Sequence, residues 1–154
     1  MRLYLVQHGK AVSPENDPKR PLSQEGRDDL DKVTTWLAGG PRLKVDRVIH
    51  SGKLRSQQTA QIIAYELGLD DKVAQEAGLA PADDVQPWAG KLQNTDEDLM
   101  LVGHLPHLSK LASQLLCGSE ETDIIDFREA GVVCMERIDT GSWMIEWIIV
   151  PDIL

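Results

Sequence analysis

Three short stretches, far apart in the chain, carry residue types suited to phosphoryl transfer: Gln7-His8-Gly9, His50-Ser51-Gly52-Lys53-Leu54-Arg55 and Gly103-His104. A neutral imidazole can attack phosphorus, while an arginine fork and a second imidazolium offset charge on the equatorial oxygens. This casts His8 as nucleophile, Arg55 as clamp and His104 as the second imidazole. Gln7 and Lys53 fall where a phosphoryl group would be gripped, and Gly9 lets a ligand approach the backbone without meeting a Cβ. On its own, His8 reads rather as a strand-end histidine bonded to a neighbouring carbonyl; the company of Arg55 and His104 favours chemistry. His50 and His107 read as structural residues.

Each stretch follows a short apolar run, Leu3–Val6, Val45–Ile49 or Leu99–Val102. Such runs read as buried strands, and parallel strands send their carboxyl ends to one sheet edge, where open α/β sheets bind ligands. Helices should follow. Ser13 to Pro21 is a polar loop over the first strand's end; Ser23 then caps a helix with Leu30, Val33 and Leu37 on one face, stopped by Gly39-Gly40-Pro41. A second helix carries Ala60, Ile63 and Leu67 up to Gly68, and a third stripe, Leu108, Leu111, Ala112 and Leu115, ends at Gly118. Between Asp70 and Asp98 the pattern weakens to an apolar patch near Val73 and a short helix over 85–92, read as a crossover covering the sheet. From Gly131, alternating bulky residues around Asp139-Thr140-Gly141-Ser142 predict a hairpin at the sheet's edge. The expected fold class is α/β, a three-layer sandwich with a mostly parallel central sheet, helices on both faces and this carboxyl-terminal edge hairpin, as one domain over residues 1–154.

Composition narrows the function. A net charge of −9 offers no basic patch to nucleic acid or an anionic membrane, so neither is an expected partner. Cys117 and Cys134 are too few for a disulfide framework and are expected in the core of a cytoplasmic protein. Neither a signal peptide nor a membrane span is visible. No metal or other cofactor is expected, because His8, His50 and His104 lack a short chelating spacing. The four tryptophans read as packing, with Trp88 the hardest to place.

Four motifs in order then resemble one family. Leu5-Val6-Gln7-His8-Gly9-Lys10-Ala11 resembles the Arg-His-Gly signature of the histidine phosphatase superfamily, with its phosphoglycerate mutase-like fold; Pro21-Leu22-Ser23 with Gly26 is similar to the start of that family's first helix. Ser51 to Ala60 resembles its second-arginine motif, and Val102-Gly103-His104 with Pro106 its second-histidine motif. The compact length is similar to the small SixA-type phosphohistidine phosphatases. The resemblance implies that His8 becomes phosphorylated, that Arg55 clamps the phosphoryl group and that His104 stabilises the transition state, without a metal.

The chain departs from the pattern at Gln7, where the family has arginine. Exchanging a charge-assisted bond for a neutral one costs on the order of 1–2 kcal/mol, roughly one decade in rate. Lys53, Lys10 or a protonated His50 are candidates to restore the charge, and Glu76, Asp83 or Asp17 to act as general acid. An imidazole leaving group, with a free pKa of about 6.5, is easily protonated, so a dedicated acid matters less for phosphohistidine than for an alcohol ester. The expected substrate is therefore phosphohistidine in a protein. The alternatives are a small phosphorylated metabolite, such as a sugar or nucleotide phosphate, and phosphoryl binding without turnover.

Overall fold

The structure, a computed structural model, describes residues 1–40 and 42–154. Six strands form one sheet in the order β3-β2-β4-β1-β5-β6, with β1 Arg2–Gln7, β2 Arg47–His50, β3 Val73–Gln75, β4 Leu99–Gly103, β5 Val132–Arg137 and β6 Trp143–Ile149. The first four strands run parallel and the last two antiparallel. Alternation along β1 builds both faces: Leu3 and Leu5 enter one core cluster, Tyr4 and Val6 the other. Helices α1 (Gln24–Gly39) and α2 (Leu54–Leu67) cover the Tyr4 face through Leu30, Val33, Leu37, Ala60 and Ile63. Helices α3 (Gln86–Asn94) and α4 (His107–Cys117) cover the other through Trp88, Leu92, Leu108 and Leu111. The expected three-layer α/β fold is thus present, with β5 and β6 forming the edge hairpin.

Local signals behave as their chemistry requires. The Ser23 hydroxyl accepts from the Gly26 amide and caps α1, while Gly68 and Gly118 close α2 and α4 in left-handed conformations. Of the expected Gly39-Gly40-Pro41 stop, Gly39 ends α1, and Pro41 lies outside the described residues. Three expectations need correction. Val73 belongs to an edge strand of three residues, paired in parallel with β2, and not to a featureless crossover. The second strand begins at Arg47, and Asp46 ahead of it is tied to the residue before β4, its amide donating to the Asp98 carbonyl at 2.7 Å. Cys134 is buried, but Cys117 is exposed at the end of α4. Trp88 is a packing residue, buried with its indole donating to the Ala77 carbonyl. Among the described residues, no helix is long and apolar enough to cross a membrane.

Candidate active site

The sheet register brings the two histidines together. Gln7 pairs with Gly103 across β1 and β4, and the His8 amide donates to the Gly103 carbonyl at 3.1 Å, so His8 and His104 leave adjacent strands side by side. Their rings stand 4.9 Å apart between centroids, tilted by 55°. The chain turns from β1 into α1 on one face and from β4 into α4 on the other, so the histidines occupy the crevice where the winding changes sides. Arg55 reaches it from the first turn of α2, which is pinned there: the Ser56 hydroxyl donates to the Val102 carbonyl at 2.7 Å and accepts from the Ser51 amide at 3.2 Å.

The hydrogen bonds set the protonation of His8. Its Nδ1 lies 2.8 Å from the Gly9 carbonyl, an acceptor only, and Arg55 Nε donates to its Nε2 at 3.2 Å. Both contacts are satisfied when the proton is on Nδ1 and the lone pair on Nε2. Burial, with the charges of Arg55 and Arg20 adding to it, pushes the imidazolium down to about 4, although the Gly9 bond pulls the other way. His8 is therefore neutral at pH 7, with its lone pair directed at a guanidinium. His104 is also neutral, pushed down to about 3 by burial and by the charges of His8, Arg55 and Lys53. Its Nε2 shares a 2.6 Å hydrogen bond with the Ser51 hydroxyl, and its buried Nδ1 has no partner among the described residues.

The remaining sequence candidates separate. Gln7 ends β1 beside His8, with its Oε1 buried and unpartnered among the described residues. Packing also requires a small residue at Gly9. A Cβ there would meet the Gly26 carbonyl oxygen at 3.1 Å and Leu22 and Leu30 at 3.2 Å, and its amide already donates to Thr59 Oγ1 at 3.0 Å. Lys53 occupies the N-cap position of α2 without a side-chain capping bond, and its charge bears on His104. Lys10 is instead held by Glu25 at 2.6 Å at the surface. His50 is buried, accepts from the Gly52 amide at 3.1 Å and has its charged form disfavoured by burial, so it supplies no cation.

Of the acids, Asp83 caps the Ala80 amide at 2.9 Å. Burial alone would raise the Glu76 carboxyl, but hydrogen bonds from Lys91 and Arg47 outweigh it and hold it ionised. Asp17 stays in the loop after β1, its carboxylate accepting from the Lys19 amide. Two residues were missed: Ser51, which sequence reading placed only in a turn, and Arg20, whose charge lowers both His8 and Arg55. The available signals were a hydroxyl at the head of the second-arginine stretch and a base at the end of a loop expected over the site.

Two imidazoles and a guanidinium at the switch point of a mostly parallel sheet define a phosphoryl-handling enzyme. The chain belongs to the histidine phosphatase superfamily (branch 1), whose family model matches residues 3–98. It is 25% identical over 156 residues to the phosphohistidine phosphatase SixA of Escherichia coli K12, covering 98% of this chain and 94% of the relative. The solved structure of the protein histidine phosphatase SixA complexed with tungstate matches with a TM-score of 0.85 at 25% identity, over 99% of this chain and 98% of that one. The α-ribazole phosphatase of Shigella flexneri shares the fold at 15% identity, TM-score 0.77, over 98% and 97% of the two chains. The protein is thus a phosphatase, a hydrolase with a phosphoglycerate mutase-like fold.

Proposed function

We propose that this phosphatase removes the phosphoryl group from phosphohistidine in a protein by way of a phosphorylated His8. The observation that carries the reading is the His8 ring itself: its proton is committed to the Gly9 carbonyl and its Nε2 lone pair faces Arg55 at 3.2 Å. The lone pair attacks phosphorus as the P–N bond to the substrate imidazole breaks, and the departing nitrogen takes that electron pair and then a proton. Arg55 exchanges its bond to Nε2 for the phosphoryl oxygens, where a guanidinium fork fits the geometry. His104, oriented by Ser51, stabilises the transferring group by hydrogen bonding. Water then attacks phosphorus, the P–Nε2 bond breaks, and orthophosphate leaves with His8 neutral again.

The leaving group supports phosphohistidine over an alcohol ester. An imidazole departs readily near neutral pH, and of the candidate acids Glu76 is held ionised and Asp83 is engaged in its own turn. Similarity to SixA points the same way. The test compares hydrolysis of a phosphohistidine peptide with that of a phosphoserine peptide. The reading expects kcat/KM at least about a hundredfold higher for phosphohistidine, and equal rates would replace it with a general phosphomonoesterase.

A further inference from the structure

We propose that Arg20 is the second phosphate-binding cation of this site, supplying from the loop after β1 the charge that Gln7 lacks; the assignment rests on the phosphatase reading above. The loop is closed onto the chain leaving His8. Val12 donates to the Pro21 carbonyl at 2.8 Å, Ser23 to the Lys10 carbonyl at 2.9 Å, and Ala11 bridges Leu22. Arg20 is thereby fixed alongside Ala11 and Val12, a few residues beyond the nucleophile. Its backbone is left-handed, with φ of 49°, a conformation uncommon outside glycine, and is held there by its amide donating to the Asp17 carbonyl at 3.0 Å. Its Nε donates to the Val12 carbonyl at 3.2 Å, which anchors the guanidinium and leaves both terminal nitrogens to fork an anion.

Arg20 lies close enough for its charge to bear on both His8 and Arg55, which meet at 3.2 Å. Among the described residues no carboxylate lies within ion-pair distance of it; Glu129, on the segment entering β5, feels its charge from further away. A second guanidinium near His8 and Arg55, with no carboxylate paired to it among the described residues, suits a doubly charged oxyanion. The other bases near the site are placed differently: Lys10 is held by Glu25, His50 is neutral, and Lys53 bears on His104.

The test titrates tungstate into the full-length protein by calorimetry and measures phosphoramidate turnover in parallel. Arg20→Asn, a residue that tolerates the left-handed backbone, should weaken tungstate about tenfold, Arg20→Lys less, and Lys10→Ala under twofold. Adding Gln7→Arg to Arg20→Asn should restore most of the affinity, which a purely structural Arg20 would not allow. Should Arg20→Asn fold poorly, Arg20→Gly gives the same comparison. Tungstate binding by Arg20→Asn within twofold of wild type, or no restoration by Gln7→Arg, would overturn the assignment. If the wild type binds tungstate with the expected pattern yet leaves the phosphoramidate intact, Arg20 keeps its role and the catalytic reading falls.

Discussion

At the scale of the residue, the site depends on which nitrogen carries a proton. For His8 the Gly9 carbonyl decides, so the bland reading of a strand-end histidine bonded to its neighbour and the reading as nucleophile describe one geometry. For His104 the decisive partner is Ser51. Removing that hydroxyl with Ser51→Ala leaves the ring in place but frees its orientation. We expect kcat to fall about tenfold with KM changed less than threefold, the loss of one hydrogen bond of about 1.4 kcal/mol felt mainly in the transition state. Steady-state kinetics on a phosphoramidate check it; an equal rise in KM would mean that Ser51 binds substrate instead. Gln7 and Arg20 mark how far single residues were legible. The departure at Gln7 was plain in the sequence, whereas the proposed compensation was not, because a closed loop and a backbone φ of 49° decide where the Arg20 side chain is anchored.

At the scale of the element, the position of His8 depends on β1 and α1 crossing at close range. A Cβ at Gly26 would lie 2.2 Å from the Lys10 carbonyl oxygen, and one at Gly9 would press on Gly26 from the other side. Gly26→Ala must therefore push α1 away from the turn that holds His8. It should cost about 3 kcal/mol in urea unfolding and lower activity as well, while Gly39→Ala in the same helix, whose Cβ meets nothing within 4 Å, should stay within about 1 kcal/mol. Strands and helices with full apolar stripes were readable because β1, β2, β4 and the three long helices each bury one or both faces. Strand β3 was not. Its three residues are half-buried or exposed, too short to show a period, and only pairing with β2 makes them a strand. The Gln58 and Thr59 positions of the second-arginine motif were likewise recognisable as a pattern before their work was visible: Gln58 accepts from the Leu22 amide, and Thr59 accepts from Gly9 and donates to the Arg55 carbonyl.

At the scale of the whole molecule, all four histidines are buried, and burial disfavours the charged form of each. Unfolded, they would take up protons near pH 6.5; folded, His8 waits until about 4 and His104 until about 3. Between these values the unfolded chain binds more protons, so stability must fall as pH falls from 6.5 toward 4. His8 alone contributes on the order of 3 kcal/mol to that loss. The raised carboxyl of Glu129 works in the opposite direction, while the lowered carboxyl of Glu76 works in the same direction as the histidines. Urea midpoints at pH 7, 5.5 and 4.5 should therefore decline steadily, and tungstate, by favouring charged imidazoles, should flatten the decline. A midpoint constant down to pH 4.5 would mean that the buried rings take protons without opening the fold.

The central claim is that phosphorus is bonded to His8 during turnover. Mass spectrometry of the full-length protein, quenched in alkali while it hydrolyses a phosphoramidate, tests it most directly, because phosphohistidine survives base and not acid. The account predicts a phosphate mass increment on the peptide containing His8, absent together with turnover in His8→Ala. Turnover that continues in His8→Ala, or an increment located on another residue, would contradict it.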